Sequence, residues 1–118
     1  MRNLLFIISL IITLVSCSNS NKVKFINESD IQIDSILLIG NQKCNPLVIK
    51  KLLPNNTITG FLENCNESVG DGSYIVEIYS NKSKTTKGFG YYTNGFMCFD
   101  EFEIKFSKNN TIIVKEKY

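Results

Sequence analysis

The sequence predicts an all-β fold, a single antiparallel β-sandwich of seven or eight short strands. Three observations carry that expectation. Apolar and polar residues alternate in several separate short segments, which is the period of a strand with one buried face. Clusters of Asn, Asp, Gly and Pro interrupt those segments at short intervals. Beyond Val15, no apolar spacing of helical period is sustained.

The elements follow in order. Val23 and Phe25 alternate with Lys24, and Asn27-Glu28-Ser29-Asp30 turns the chain. Ile31 and Ile33 alternate with Gln32 and Asp34 and lead into Ile36-Leu37-Leu38-Ile39, read as a fully buried strand end that Gly40-Asn41 breaks. Leu47 to Leu53 is a further apolar stretch, where a short helix competes with a strand, and Pro54-Asn55-Asn56 ends it. Thr57 to Leu62 reads as strand and 64–72 as a polar loop. Tyr74, Val76 and Ile78 share one strand face before Asn81-Lys82 turns the chain. Asn94-Gly95, between Tyr91-Tyr92-Thr93 and Phe96, signals a hairpin, because this pair accepts the positive φ angles of a type I′ turn. Phe102, Ile104 and Phe106 alternate with Glu101, Glu103 and Lys105. After Lys108-Asn109-Asn110, Ile112 and Val114 alternate with Ile113 and Lys115. Immunoglobulin-like and transthyretin-like topologies both accommodate these strands.

The hairpin allows a finer expectation. A two-residue turn at 94–95 sets Thr93 opposite Phe96, and an unbroken ladder would then set Lys87 opposite Phe102 and drive a lysine inward. A one-residue slip near Gly88-Phe89-Gly90 or near Asp100 cures the conflict, so a β-bulge is expected in this hairpin.

The residues before Val23 are organised differently. Met1-Arg2-Asn3 precedes a mostly apolar run from Leu4 to Val15, shorter than the roughly 20 residues a spanning helix needs. It closes on Leu14-Val15-Ser16-Cys17, and the whole reads as a secretory signal peptide. The Leu-Val-Ser-Cys end resembles the lipobox of bacterial lipoproteins. That resemblance implies that the Cys17 thiol receives a diacylglyceryl group, that the chain is cut before it, and that the new amino terminus is acylated, palmitate being such an acyl group. It divides the chain into a signal helix over 1–16, a polar tether over 17–22 and the sandwich over 23–118. It also implies a cell-envelope location, anchored in the membrane through Cys17. Ser18, where some bacteria use an aspartate for inner-membrane retention, favours the outer membrane, and a tether without acidic residues favours its periplasmic face. The heavy use of Ile, Asn and Lys resembles that of small lipoproteins of Bacteroidota.

Composition excludes several chemistries. Thirteen cationic side chains stand against eleven carboxylates, with no basic stripe to neutralise phosphates, so nucleic acid is not an expected partner. The chain has no histidine, which removes serine–histidine and cysteine–histidine catalysis and the usual nitrogen ligand for zinc. No enzyme activity, cofactor or metal is therefore expected. Glu63, Asn64, Asn66, Glu67 and Asp71 form an oxygen-rich loop, but its spacing is not that of an EF-hand.

With Cys17 assigned to lipid, Cys44, Cys65 and Cys98 remain in an oxidising compartment, which implies one disulfide and one unpaired thiol. Three pairings are open. Cys44 with Cys65 is favoured, since both lie in turn-rich segments flanking the 47–62 region, while Cys98 reads as a buried thiol. For partner binding the candidate surface is the aromatic hairpin: Phe89, Tyr91, Tyr92 and Phe96. Tyr91 and Tyr92 are strand neighbours and point to opposite faces, so one of them is exposed.

The expected function is that of a lipid-anchored envelope lipoprotein acting by binding, an accessory module that docks on another envelope protein through a sheet edge or the 89–99 hairpin. A protective lipoprotein that binds a toxin or hydrolase is the alternative, and a small enzyme using carboxylates or a thiol stands third.

Overall fold

The computed structural model describes residues 20–40, 44–63, 70–93, 96–97 and 100–117. Among them the chain forms nine strands: β1 (Ser20–Asn27), β2 (Ser35–Ile39), β3 (Leu47–Ile49), β4 (Thr57–Glu63), β5 (Gly72–Ser80), β6 (Ser83–Thr93), β7 (Phe96–Met97), β8 (Glu101–Phe106) and β9 (Ile112–Lys117). They build a four-stranded sheet in the order β4-β1-β8-β9 and a five-stranded sheet in the order β3-β2-β5-β6-β7. The sandwich is therefore as the alternation predicts, with the short strands β3 and β7 raising the count above seven or eight. The signal helix lies outside the described residues.

The pairing separates the two expected topologies. In an immunoglobulin sandwich the first two strands share a sheet. Here β1 lies between antiparallel β4 and parallel β8, while β2 belongs to the other sheet. That is the transthyretin-like order.

The inner faces carry the alternating residues. Val23 and Phe25 from β1, Phe102, Ile104 and Phe106 from β8, and Tyr74, Val76 and Ile78 from β5 are all buried, closed by Ile36, Leu38 and Leu62. Leu47 and Ile49 of β3 also pack on this core, so the 47–53 stretch is a short strand followed by the isolated Ile33–Leu52 bridge, without a helix. The bridge gives the two ends an edge of backbone pairing, with Ile33 and Leu52 donating to each other's carbonyls at 2.9 and 3.0 Å.

Strand direction sorts the connections to two ends of the sandwich. The base holds the start of β1 together with the ends of β2, β4 and β6 and the starts of β3, β5 and β8. The tip holds the turns around Asn27–Ile31, Pro54–Asn56, Asn81-Lys82 and Lys108–Asn110. Asparagine is functional in this geometry. Asn55, Asn81 and Asn110 adopt φ of 61°, 51° and 57°, the left-handed region that asparagine tolerates better than most residues.

Two boundaries differ from the sequence expectation. The tether read over 17–22 is shorter, because β1 is already paired at Ser20 with Glu63 and at Lys22 with Glu101. Polar side chains did not reveal this, since ladder pairing is made by the backbone. The run Ile36-Leu37-Leu38-Ile39 is buried on one face only: Ile36 and Leu38 turn inward, while Leu37 and Ile39 are half-buried on the outside.

Candidate functional site

The two outer faces of the sandwich differ in chemistry. On the four-stranded sheet, Lys22, Lys24, Glu101, Glu103, Lys105, Lys115 and Lys117 alternate across strands. Lys117 lies 3.7 Å from Glu101 and 3.9 Å from Glu103, and Lys105 reaches Glu103 at 3.9 Å and Glu28 at 3.6 Å. Such exposed pairs contribute little energy each, but they keep this face wetted.

The outer face of the five-stranded sheet is graded. Towards the tip it is polar. There the Tyr79 hydroxyl donates to Glu77 Oε2 at 2.7 Å, and Lys84 Nζ lies 3.0 Å from Glu77 Oε1 and 5.7 Å from the Tyr79 ring centre. The hydrogen bond from Tyr79 and then the Lys84 ammonium hold the Glu77 carboxyl below its ordinary value. Glu77 in turn holds both Tyr79 and Lys84 above theirs.

Towards the base the same face is apolar. Ile39 pairs with Ile75, and Leu37 pairs with Val48 on one side and Glu77 on the other. Ile75 is 41% exposed and Val48 47%. Gly88 stands opposite Ile75, which leaves that lattice position without a side chain, and Tyr91 follows at 51% exposure. Leu37, Ile39, Val48, Ile75 and Tyr91 thus form an open strip that the core does not use. Sequence reading missed its aliphatic members. The signal was present as consecutive apolar residues within strands, which one-sided burial must leave partly outside.

A bulge positions Tyr91. Along β6 the register against β5 shifts between Tyr74↔Phe89 and Gly72↔Tyr92, so β6 carries one residue more than its partner. Gly90 sits at this point with φ of 66°. The extra residue resets the alternation, and both Phe89 and Tyr92 turn inward while Tyr91 turns out. Phe89 meets Phe102 edge-on with ring centres 4.8 Å apart, and Tyr92 meets Tyr74 at 5.5 Å. Of the four aromatic residues proposed for partner binding, Phe89 and Tyr92 are therefore corrected to core-packing roles, and Tyr91 is the exposed one. Phe96 pairs with Thr93 through the backbone, as the hairpin predicts, but its side chain lies outside the described residues.

The bulge expected in the 94–95 hairpin is not the one found: the register shift lies between Phe89 and Tyr92 in the β5–β6 pairing. The ladder that the expected bulge was meant to rescue does not form. β6 and β7 pair only at Tyr92↔Met97 and Thr93↔Phe96 among the described residues, and β8 crosses to the other sheet to pair with β1 and β9. Lys87 never faces Phe102; its ammonium donates to the Ile112 carbonyl of β9 at 3.0 Å.

Cys44 is half-buried before β3 and is disulfide-bonded. Cys17, Cys65 and Cys98 lie outside the described residues, as do residues 64–69 of the oxygen-rich loop. An open recess at the tip is lined by Ile31, Gln32, Asp34 and Asn81. Among the described residues no three Cys, Asp or Glu side chains gather as a metal site, and no helix is long and apolar enough to cross a membrane.

No protein-family model matches the chain, and no curated protein matches it either. Among solved structures, the NMR structure of a protein from Eubacterium rectale is similar with a TM-score of 0.54 at 15% identity, over 84% of this chain and 89% of that one. At that identity the likeness concerns the fold alone, and it supports the β-sandwich over nearly the whole chain.

Proposed function

We propose that this chain is a lipid-anchored cell-envelope lipoprotein, held through Cys17 and acting by binding as an accessory module, in the outer membrane on its periplasmic side. The observation that supports a binding role is the strip of Leu37, Ile39, Val48, Ile75 and Tyr91, open on a sandwich whose core is already complete. An exposed apolar patch rimmed by polar groups is the usual form of an interaction surface. The strip runs from Leu37 and Val48, in the row of Glu77, down to Ile39, Ile75 and Tyr91 at the base, the end from which the segment leading back to Cys17 departs.

We also propose that Cys44 pairs with Cys65. Leu47 packs against Gly60, where a β-carbon would come within 3.1 Å of Leu47 Cδ2. β3 starts at the base and β4 ends there, so the segments carrying Cys44 and Cys65 leave neighbouring strands at the same end.

The anchoring test is metabolic labelling with an alkyne analogue of palmitate in a bacterial host. The wild-type chain takes up the label and floats with membranes, and Cys17→Ser does neither. Equal labelling of both would remove the lipoprotein reading. For binding, a photocrosslinker at Val48 tests the strip in intact envelopes. Crosslinking no greater than from an exposed position on the charged face, such as Lys115, would remove the strip as the binding surface.

A further inference from the structure

We infer that the basal end of the strip rests on the bilayer to which Cys17 is attached: Ile39, Ile75 and Tyr91 touch the lipid surface, the sandwich leans on it through the five-stranded sheet, and Leu37 and Val48 stay above the contact. This rests on the lipoprotein reading of Cys17. The first argument is reach. The chain is fixed in the sheet from Ser20, where it pairs with Glu63, three residues after Cys17. Three extended residues span at most about 11 Å, little more than the roughly 10 Å between packed sheets. The base therefore cannot leave the headgroup region, and the basal corner of the second sheet is held one sheet thickness from the leash.

The second argument is the contrast between surfaces at that level. On the four-stranded sheet the basal row is Phe61, Lys22, Glu101 and Lys117, three charged side chains, two of them paired at 3.7 Å, beside one exposed ring. On the five-stranded sheet the corresponding corner presents Ile39, Ile75, the bare Gly88 and the Tyr91 ring. A tyrosine has an apolar body and a hydroxyl that stays wet, which suits the boundary between acyl chains and headgroups. The tip offers the opposite chemistry: Glu28, Asp30, Asn55, Asn56, Lys82 and Lys108 are all exposed and costly to bring to that boundary. Leaning on the basal corner turns the tip away from the membrane.

The third argument is concentration. A short leash makes the contact intramolecular, at an effective concentration of roughly millimolar, so three side chains suffice where they could not recruit a free protein.

The chain contains no tryptophan, so one introduced indole reports alone. Full-length lipidated protein carrying Tyr91→Trp or, at the tip, Lys82→Trp is reconstituted into phosphatidylcholine–phosphatidylglycerol vesicles with brominated acyl chains. The expected result is a blue-shifted Tyr91→Trp probe, quenched several-fold more than Lys82→Trp, with the quenching lost when Ile75→Asp is added. Thermal melting verifies that each variant is folded. Equal, weak quenching of the two probes in protein that still floats with the vesicles overturns the leaning geometry and leaves the anchor in place. Protection of the Tyr91→Trp probe from acrylamide in native envelopes, without bromine quenching in vesicles, overturns it in favour of a protein partner. Protein that carries no lipid on Cys17 overturns both readings.

Discussion

Gly90 lies directly against Phe102: a β-carbon on it would come within 2.9 Å of Phe102 Cζ, and within 3.0 Å of Tyr74 Cδ2. Its φ of 66° independently requires a residue at ease in the left-handed region. The bulge, the inward turn of Tyr92 and the exposure of Tyr91 all depend on this one position. Gly90→Ala is therefore expected to destabilise by about 2 kcal/mol, combining backbone strain with overpacking of two aromatic rings. Urea unfolding measures it as a lower midpoint at unchanged slope. An unchanged midpoint would show that the bulge does not depend on glycine.

Asn27 is fully buried and ties the tip together. Its Nδ2 donates to the Ile31 and Leu52 carbonyls at 2.8 and 3.1 Å, and its Oδ1 accepts from Ser29 N and Oγ at 3.0 and 2.6 Å. Asn27→Ala should cost about 2–3 kcal/mol, because several buried polar groups lose their partner at once. Asn27→Asp should be worse at neutral pH, since a carboxylate would face two carbonyl oxygens. Chemical denaturation of both variants decides the order, and a more stable Asp variant would refute this assignment of the amide.

The Glu77–Tyr79–Lys84 cluster predicts a stability profile in pH. Glu77 titrates lower in the folded chain than in the unfolded one, so its contribution is complete above the unfolded value, near 4.5, and is lost as pH falls through the folded value. Tyr79 and Lys84 titrate higher when folded, so their contribution is complete below about pH 10 and is lost as pH rises through their folded values. Glu77→Gln should flatten both limbs relative to wild type, and the two proteins should converge at low pH. Thermal midpoints between pH 3 and 8 test the acid limb; parallel curves there would dissociate Glu77 from it.

Opposite faces of β5 should respond differently to charge. Ile78 is 2% exposed and Ile75 41%. Ile78→Asp should prevent folding, because an unpaired carboxylate enters the core, whereas Ile75→Asp should change stability by less than about 1 kcal/mol. Circular dichroism melts compare them. A large loss at Ile75 would mean the strip belongs to the fold rather than to a partner.

The disulfide proposal is tested by peptide mapping without reduction. A Cys44–Cys65 crosslinked peptide with Cys98 open to alkylation is the expected pattern. Reducing a bond that closes a loop of this size should remove about 3 kcal/mol in the chain-entropy account. A Cys44–Cys98 peptide would refute the pairing.

Much of this architecture was legible in the residues. The inward sets Val23/Phe25, Tyr74/Val76/Ile78 and Phe102/Ile104/Phe106 follow from a period of two, and the turns at Asn81-Lys82 and Lys108–Asn110 follow from residues that accept positive φ. Alternation states which face is buried, but not which strand lies alongside. For that reason alternation alone extends the 91–97 hairpin into the Phe102 strand, whereas β8 pairs with β1 in the other sheet. The aromatic hairpin was recognised, but the extra residue at Gly90 decided which rings face outward. The aliphatic strip is signalled by the consecutive apolar residues of Ile36-Leu37-Leu38-Ile39, but that run reads equally well as a strand covered on both sides.

The parallel pairing of β1 with β8 also bears on the order in which the chain acquires its structure. β1 is an interior strand of its sheet, yet one of its two neighbours is not made until residues 101–106. β1 therefore waits for residues 101–106 before its ladder closes. Contacts so distant in sequence are slow to form. Until they do, the folding chain presents unpaired backbone along β1, a strand edge open to pairing with any other chain it meets.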